Sequence, residues 1–357
     1  MPSARVAFDL TPVISGRTGI ARYATQLGVA LERHGTELSR FAIGRAAFPV
    51  PPGTAHVRVP ARAIGRWWRV VRWPTIEQLL GGAELVHVTG PFTPATRAPL
   101  VVTIHDLAAL RYPELHPPRH VDQQRRQLRM LAQAAAITTV SAATADDLIQ
   151  LGLDAERIVV APLGLTRLDG AARAIEGLKP GYLLTVGETS PRKGYGVLIE
   201  AMARLGSDLR LVMAGPPALD EQRLRSLAAS LDVEDRITRL GPVDDPTLAG
   251  LYRGAVALCF PSIAEGFGLP VLEAMAAGLP VLGSDIAATH ELAADAAVYS
   301  SGNDAKAWAE AIEAIWSDPR LRETLAHAGR KRAAEFTWDR TAAATLKAYR
   351  LALDAGS

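Results

Sequence analysis

The sequence predicts an α/β protein built from two doubly wound, parallel-sheet domains. Its 357 residues favour two domains over one or three, because a domain commonly holds about 100–200 residues. Short β-branched runs alternate from end to end with longer stretches of helical spacing, which indicates βαβ units. Runs such as VVTI and YLLTVG have the apolar character of strands that helices cover on both faces.

Strands are predicted in both halves of the chain. Those of the first half are Val6–Asp9, Phe41–Gly44, Leu85–Thr89, Val101–His105, Ile137–Val140 and Ile158–Ala161. Those of the second half are Leu183–Gly187, Leu211–Gly215, Ile237–Gly241, Val256–Pro261, Val281–Ser284 and Ala297–Ser300. Helical spacing between the first two strands is carried by Ile20, Tyr23, Leu27 and Leu31.

Residues 164–181 interrupt this alternation with several glycines, a proline and charges of both signs. We therefore predict an N-terminal domain over residues 1–165, a linker over 166–181 and a C-terminal domain over 182–336. A closing helix at about 337–354 is expected to pack back on the first domain. Ligands of open α/β sheets bind beyond the carboxyl ends of the strands, so site residues are expected just after strands.

Composition excludes several classes of protein. With 48% apolar and 21% charged residues, the chain is not disordered, a coiled coil or a collagen-like fibre. The longest stretch without a formal charge, Met130–Ala145, is too short and too polar to span a bilayer, and the start MPSARVAFDL lacks the apolar core of a signal peptide. The single Cys259 fits a reducing compartment. We expect a cytoplasmic protein that binds no nucleic acid.

The most informative segment is PSIAEGFGLPVLEAMAAGLPVL, residues 261–282, which follows a predicted strand. Gly266 and Gly268 allow the backbone to approach a ligand closely, and a helix is predicted to begin directly after them. Glu265 then precedes the helix and Glu273 lies in its first or second turn, so both can face one pocket. A helix N-terminus favours a phosphate, and carboxylates accept hydrogen bonds from hydroxyls. Together these features describe a nucleotide-sugar site.

Further candidates follow other strands. Arg192 and Lys193 stand between a strand and a helix, where they can neutralise a diphosphate or form a solvated basic turn. His105 with Asp106 closes another strand, either as a functional pair or as a capped structural histidine. Gly19 belongs to a glycine-containing loop after the first strand that can approach phosphates or an acceptor.

These motifs resemble those of the family-4 retaining glycosyltransferases, which have the GT-B fold. The spacing E-x(7)-E followed by Gly-x-Pro-Val is similar to the signature of that family. Other segments resemble further motifs of the family in the same order: Gly19–Tyr23 ("GIGRY"), Val102–Leu107 with Pro113-Glu114 ("TIHDL…PE"), Val140-Ser141 ("VS", in part), Ala161–Gly164 ("VPNG", in part) and Val186–Gly194 with Leu198–Met202 ("VG…PRK…LLEAF").

The resemblance implies two Rossmann-like domains facing across a cleft and retention of the anomeric configuration. In the family, Glu273 binds the ribose hydroxyls and Glu265 the hydroxyls of the transferred sugar. The loop from Gly266 onwards, through the backbone N–H groups of Phe267, Gly268 and Leu269, meets sugar oxygens and phosphate. His105 approaches the donor sugar and the reacting centre, and Asp106 orients the ring or its loop. The base is expected near Leu240 and Val243.

One residue departs from the family pattern. Many relatives carry an arginine directly after the glycine of the strand, where this chain has Glu188. A carboxylate opposes a diphosphate, so we expect Glu188 to point away or to meet the acceptor, and Arg192 to compensate. The sequence has no D-x-D triplet, the motif with which other sugar transferases hold a metal on the diphosphate. We therefore predict no metal and no cofactor, the nucleotide sugar being a co-substrate.

The predicted activity is retaining transfer of a hexose-type sugar from a nucleoside-diphosphate sugar to a hydroxyl of a carbohydrate, lipid-linked or small-molecule acceptor. A nucleotide-sugar epimerase of the same fold and a non-catalytic nucleotide-sugar-binding protein are the alternatives. A pyridoxal-dependent phosphorylase is weakly supported, because its cofactor needs a lysine and the only lysine in a motif, Lys193, lies among the phosphate-binding cations.

Residues 58–76 carry five arginines and no acidic residue. One hypothesis is an amphipathic helix on an anionic membrane, near a lipid-linked acceptor, which would place the protein peripherally at the inner face of the membrane. The hypothesis that we favour is a surface helix whose tryptophans pack on the sheet.

Overall fold

The computed structural model describes residues 4–16, 18–92, 94–168, 170–206 and 208–355. They divide into two compact units. The first unit takes the described residues of Met1–Pro113, Pro117–Gly164 and Thr337–Ser357, and the second takes those of Glu114–His116 and Leu165–Phe336. The stretch that we predicted as a linker, apart from Asp169, which lies outside the described residues, belongs to the second unit.

The first unit contains a sheet of seven parallel strands in the order β3-β2-β1-β4-β5-β6-β7. These strands are β1 (Arg5–Asp9), β2 (Glu37–Ile43), β3 (Ala55–Val57), β4 (Leu85–Val88), β5 (Leu100–Ile104), β6 (Ala136–Thr139) and β7 (Ile158–Val160). Its helices are α1 (Thr11–Ser15), α2 (Gly19–Arg33), α3 (Ala61–Val70), α4 (Ile76–Leu79), α5 (Ala108–Arg111), α6 (Pro118–Leu131), α7 (Ala142–Gln150) and, after the second unit, α15 (Trp338–Ala355).

The second unit contains a six-stranded sheet in the order β10-β9-β8-β11-β12-β13. Its strands are β8 (Tyr182–Val186), β9 (Leu211–Ala214), β10 (Ile237–Gly241), β11 (Ala255–Phe260), β12 (Val281–Ser284) and β13 (Ala297–Ser300). Its helices are α8 (Tyr195–Met202), α9 (Glu221–Ser230), α10 (Asp245–Gly254), α11 (Leu269–Ala277), α12 (Ala287–Ala293), α13 (Ala305–Ser317) and α14 (Pro319–Ala333). Numbered within the unit, this order is 3-2-1-4-5-6, the order of dinucleotide-binding sheets.

The predicted fold class is confirmed, and the predicted strands are present to within a few residues. Every residue of β5 and of β9 is buried, which explains their continuous apolar runs. The sequence did not predict β3, a three-residue edge strand that is only partly covered. No helix among the described residues has both the length and the apolar character needed to cross a bilayer.

Helix α15 is held to the first unit by a buried polar network. His87 Nδ1 lies 2.8 Å from the Tyr349 hydroxyl, and His87 Nε2 lies 2.8 Å from Thr103 Oγ1. The Tyr23 hydroxyl, on α2, lies 3.0 Å from the same threonine oxygen. Burial lowers the pKa of His87 to about 3, so the ring is neutral. His87 therefore has a structural role, joining the last helix of the chain to the first sheet.

The hypothesis that the tryptophans of residues 58–76 pack on the sheet is right for one of them and wrong for two. Trp68 is buried in the core of the first unit, whereas Trp67 and Trp73 are exposed. The side chains of Arg62 and Arg69 are outside those that the structure describes. The exposed indoles leave an apolar surface, which the hypothesis that we favoured did not include.

Candidate functional site

The loop between β11 and α11 has the backbone that the glycines predicted. Gly268 is the residue before the helix and has a φ of 100°, a conformation that side chains disfavour. Pro270 is the second helical residue, where its missing N–H costs no hydrogen bond, and Gly278, with a φ of 72°, ends the helix. The first turn of α11 therefore directs backbone N–H groups beyond the carboxyl end of β11.

Glu265 accepts three hydrogen bonds at one carboxylate oxygen. Its Oε1 lies 2.5 Å from Lys193 Nζ, 2.9 Å from Arg192 Nη1 and 2.9 Å from Ser262 Oγ. The two loops are also joined through the backbone, because Ile263 N–H donates to the Arg192 carbonyl at 2.8 Å. Two cations that were predicted to bind a diphosphate thus share a carboxylate that was predicted to bind sugar.

A glycine allows these loops to come so close. Gly194, with a φ of 66°, follows the cation pair, and a Cβ at this position would lie 2.2 Å from the carbonyl oxygen of Pro261. Any other residue would push the Arg192–Lys193 turn away from the Glu265 loop. The strands β8 and β11 that carry the two loops are paired neighbours in the sheet.

The charges of this cluster are strongly coupled. Burial by itself would raise the pKa of Glu265, but Lys193 and Arg192 outweigh it and lower that pKa to about 2. Burial lowers the pKa of Lys193, and the carboxylate of Glu265 opposes this change. The Lys193 ammonium also lies 5.1 Å from the centre of the Phe260 ring. At neutral pH the glutamate is ionised and neutralises part of the positive charge.

Glu188 lies at the rim of the same cluster. Its Oε1 is 3.9 Å from Arg192 Nη2, and about half of its side chain is exposed. A contact of this length at an exposed position contributes little to stability. The departure from the family pattern therefore places a carboxylate beside Arg192 rather than among the buried groups.

Glu273 is buried in the second turn of α11. Only 8% of the residue is exposed, and its Oε2 accepts a hydrogen bond from the Tyr252 hydroxyl at 2.9 Å. Tyr252 lies on α10 and was not predicted from the sequence. A tyrosine next to a predicted carboxylate has no sequence signature, because the two residues meet only through helix packing.

A second tyrosine missed by sequence reasoning borders the cation pair. The Tyr195 hydroxyl is buried and makes no hydrogen bond among the described residues. A Cβ at Gly187 would lie 2.8 Å from this hydroxyl and 3.3 Å from Lys193 Cε, so Tyr195 and Lys193 both approach the same glycine. Burial raises the pKa of Tyr195, which keeps the hydroxyl protonated.

His105 follows β5 in the first unit. Its Nε2 lies 2.8 Å from the carbonyl oxygen of Thr89, and its ring contacts the edge of Tyr23 at a centroid distance of 4.9 Å. Burial lowers the pKa of His105, so the ring is neutral at pH 7. A carbonyl oxygen only accepts hydrogen bonds, so Nε2 carries the proton and Nδ1 is an acceptor.

Asp106 orients the loop beyond β5 and has no hydrogen bond to the His105 ring. Its Oδ1 accepts from Ala108 N–H at 3.0 Å and from Gln124 Nε2 at 3.1 Å. Gln124, on α6, also donates to the Asp106 carbonyl at 3.0 Å and accepts from Leu110 N–H at 3.2 Å. Gln124 was not predicted, because a helix glutamine 18 residues away from Asp106 gives no local signal.

The remaining predicted residues occupy less defined positions. Gly19 is the exposed first residue of α2, whose preceding Thr18 accepts from Ala21 N–H at 3.2 Å. Leu240 lies in β10 and Val243 in the loop after it, both partly buried. Phe267 is largely buried against Phe336, at a ring distance of 5.8 Å. Within the described ranges, no three His, Cys, Asp or Glu side chains are grouped as metal ligands would be.

Two family models match the chain. Residues 17–166 match the model described as Glycosyltransferase Family 4, and residues 171–332 match Glycosyl transferases group 1. A D-inositol 3-phosphate glycosyltransferase of Pseudarthrobacter chlorophenolicus is 32% identical over 77% of this chain and 69% of its own length. The O-antigen chain mannosyltransferase B of Escherichia coli is 28% identical over 97% of this chain and 100% of its own length.

Solved structures share the fold. A sucrose-phosphate synthase from Thermosynechococcus elongatus superposes with a TM-score of 0.78 at 21% identity, covering 97% of this chain and 98% of that protein. The Anabaena protein Alr3699/HepE, crystallised with UDP-glucose, superposes with a TM-score of 0.73 at 19% identity, covering 96% of this chain and 99% of that protein.

Proposed function

The chain belongs to the family-4 glycosyltransferases, and from this premise we propose that it moves a hexose-type sugar from a nucleoside-diphosphate sugar to an acceptor hydroxyl with retention of configuration. The observation that carries the proposal is the cluster of Arg192, Lys193 and Glu265 in front of α11. Two cations and a helix N-terminus are suited to a diphosphate, and the carboxylate is suited to sugar hydroxyls.

We propose that the donor rearranges this cluster when it binds. A diphosphate carries more charge than one carboxylate, so it would take Lys193 and Arg192 from Glu265. The released Glu265 carboxylate would then accept hydrogen bonds from the transferred sugar. Binding energy would thereby open the sugar subsite only when a diphosphate occupies the cations, which favours the intact donor over a free sugar.

The chemical step that we propose is a front-face displacement. The bond between the anomeric carbon and the leaving phosphate oxygen breaks, and the bond to the acceptor oxygen forms on the same face. The acceptor proton passes to the diphosphate oxygen that leaves. Arg192 and Lys193 stabilise the charge that develops on the diphosphate, and neutral His105 would accept a hydrogen bond at Nδ1 from a donor-sugar hydroxyl.

We also propose that the enzyme needs no metal, because Arg192 and Lys193 would neutralise the diphosphate charge that a metal ion neutralises in other enzymes. We expect one of UDP, GDP, dTDP, ADP and CMP to raise the melting temperature, with EDTA making no difference. At ~100 times its dissociation constant such a ligand adds about 2.7 kcal/mol of stability. Thermal shifts with each nucleotide, with and without EDTA, identify the base, and NMR of the product made from the matching donor gives its anomeric configuration.

The outcomes separate the alternatives. A shift that disappears with EDTA would contradict metal independence, and an inverted product would contradict the front-face step. Turnover of the nucleotide sugar without any acceptor would indicate the epimerase. Binding without turnover under any condition would indicate a non-catalytic nucleotide-sugar-binding protein.

Glu273→Ala is expected to weaken binding of the bare nucleotide about 10–100-fold, the effect of losing hydrogen bonds of about 1.5–3 kcal/mol to a charged group. Glu273 is proposed to accept from the ribose hydroxyls. Tyr252→Phe removes the hydroxyl that donates to Glu273 and should give a smaller loss in the same direction. Titration calorimetry with the diphosphate identified above measures both. Glu310→Ala, on an exposed helix face of the same unit, is the control, and equal affinity in all three variants would exclude Glu273 from the nucleotide site.

We also propose a cytoplasmic location, with contact to the inner face of a membrane through residues 58–76. Cys259 is a buried free thiol, which is compatible with a reducing compartment. The proposed acceptor is a carbohydrate, a lipid-linked sugar or a small molecule. Cell fractionation tests the location, and recovery outside the cytoplasmic and membrane fractions would contradict it.

A further inference from the structure

The exposed apolar side chains of the first unit are concentrated in one segment. Residues 59–73 hold five large hydrophobic side chains that are 42–81% exposed: Val59, Trp67, Val70, Val71 and Trp73. Two of them are tryptophans, which are rarely exposed to this extent unless they contact a binding partner. Large apolar side chains that are exposed together in one segment, rather than singly over the surface, indicate an interaction site.

Contacts with the core and within the segment fix the orientation of its side chains. Trp68, which is buried, packs on Phe92 at a ring distance of 5.8 Å and donates its indole N–H to the Pro74 carbonyl at 2.7 Å. The Trp67 indole N–H donates to the Trp73 carbonyl at 2.6 Å. The polar group of Trp67 is thus satisfied within the segment, and its apolar ring surface faces outward.

Positive charge surrounds the apolar patch. Arg66 and Arg72 are exposed beside it. Arg72 and Gln133 line one cavity of about 450 Å³, together with Arg97, so the end of α3 meets the residues that follow α6. The exposed face of α6 adds Arg125, Arg126 and Arg129. Both helices cover the same face of the first sheet, because Trp68 and Leu131 belong to one core.

Two acidic groups nearby compensate little of this charge. Asp122 lies 3.7 Å from Arg125 and compensates one arginine in part. Glu77 is turned inward, where its Oε1 accepts from the backbone N–H groups of Arg97 and Ala98. The whole chain has a net charge of only +2, so the arginines here are a local concentration and not a property of the surface in general.

We propose that this surface, which we call the α3–α6 face, docks the enzyme on an anionic lipid bilayer. Trp67 and Trp73 would lie at the level of the headgroups, with Val70 and Val71 in the acyl boundary. Arg66, Arg72 and the exposed arginines of α6 would meet lipid phosphates, each strengthening binding severalfold. The inference rests on the proposed membrane contact and deepens it by adding α6. It is independent of the proposed donor chemistry.

The combination of side chains favours a bilayer over a protein partner. Tryptophan and arginine are the residues that populate membrane interfaces, since the indole is amphipathic and the guanidinium binds phosphate in a bidentate manner. The cavity next to Arg72 is lined by Leu100, the first residue of β5, and by Ala135, which precedes β6. The α3–α6 face therefore includes the amino-terminal ends of the strands, whereas His105 follows the carboxyl end of β5. Docking would leave the residues at the carboxyl ends accessible.

The test uses the full chain and vesicles of phosphatidylcholine, alone or mixed with phosphatidylglycerol. We expect co-flotation with the mixed vesicles only, and quenching of tryptophan fluorescence by acyl chains that carry bromine. Val70→Asp, and separately Trp67→Ala with Trp73→Ala, should abolish flotation. Arg125→Gln, Arg126→Gln and Arg129→Gln together should weaken it about a hundredfold at low salt.

Matched variants in the second unit serve as controls. Leu219→Asp changes another exposed apolar residue, and Arg204→Gln, Arg320→Gln and Lys331→Gln together remove the same charge. Both should float as the wild type does, and a nucleotide-induced thermal shift should be the same in every variant. No flotation of the wild type, or equal losses in the controls, would overturn the proposal. Dimers that dissociate on Val70→Asp, without vesicle binding, would assign the face to a protein interface instead.

Discussion

Glu265→Gln is expected to lower sugar transfer about 10²–10³-fold while leaving the affinity for the bare nucleoside diphosphate unchanged or higher. The variant keeps the shape of the side chain and removes the charge that is proposed to hold the transferred sugar. It also removes the anion that occupies Lys193 and Arg192 before the donor binds. Transfer should therefore fall while the affinity for the diphosphate does not, which a merely structural glutamate would not produce.

Steady-state kinetics with the matching donor and calorimetry with the bare diphosphate measure the two effects. The control is Glu335→Gln, a glutamate of the same unit that lies 2.6 Å from Arg332 and outside the donor motif. Equal transfer rates in Glu265→Gln and wild type would remove this residue from the site. A large loss of diphosphate affinity would show that Glu265 does not compete with the diphosphate.

Lys193→Met is expected to lower transfer by a similar factor, about 10²–10³-fold, and to weaken diphosphate binding as well. Lys193 is 6% exposed and its ammonium lies beside Glu265, so it acts in a medium where a charge–charge interaction is stronger than in water. Methionine keeps an apolar stem of similar length against the Phe260 ring. Transfer should slow because the negative charge that develops on the leaving diphosphate is no longer stabilised by the ammonium.

The matched control for this substitution is Lys306→Met, an exposed lysine on α13 that pairs with Glu310 at 3.7 Å. The double variant that combines Lys193→Met with Glu265→Gln tests whether the two charges are energetically coupled. Removing one partner of a buried ion pair costs about 3–5 kcal/mol, so Glu265→Gln alone should unfold more easily than the double variant, in which one uncompensated cation has also been removed. Additive losses of stability, or an unchanged kcat/KM in Lys193→Met, would contradict the arrangement described for the cluster.

The periodicity of the sequence was sufficient for the fold class. Strands such as β5 and β9 are buried on both faces, so their residues are nearly all apolar, and that pattern is visible in the sequence alone. The edge strand β3 escaped prediction because three partly covered residues impose no such pattern. The exposure of Trp67 and Trp73 went against the hypothesis that we favoured, since an apolar residue is normally predicted to be buried.

The sequence motifs also predicted which chemical groups belong to the candidate site. Glycines with positive φ at positions 194, 268 and 278 follow local rules, and so does a helix that begins beside Pro270. The roles proposed for Glu265, Glu273, Arg192, Lys193 and His105 stay predictions until the variants are measured.

What only the tertiary structure decided is which of these groups touch. Lys193 and Glu265 are 72 residues apart, and they meet because β8 and β11 are neighbours in the sheet, so that the loops at their carboxyl ends share one edge. Tyr252 reaches Glu273, and Gln124 reaches Asp106, through contacts between elements that leave no mark at either position in the sequence. Sequence determined the strands, the turns and the kinds of charge, because these depend on local geometry and burial. Which side chains contact each other depended on strand order and helix packing, and long-range contacts determine both.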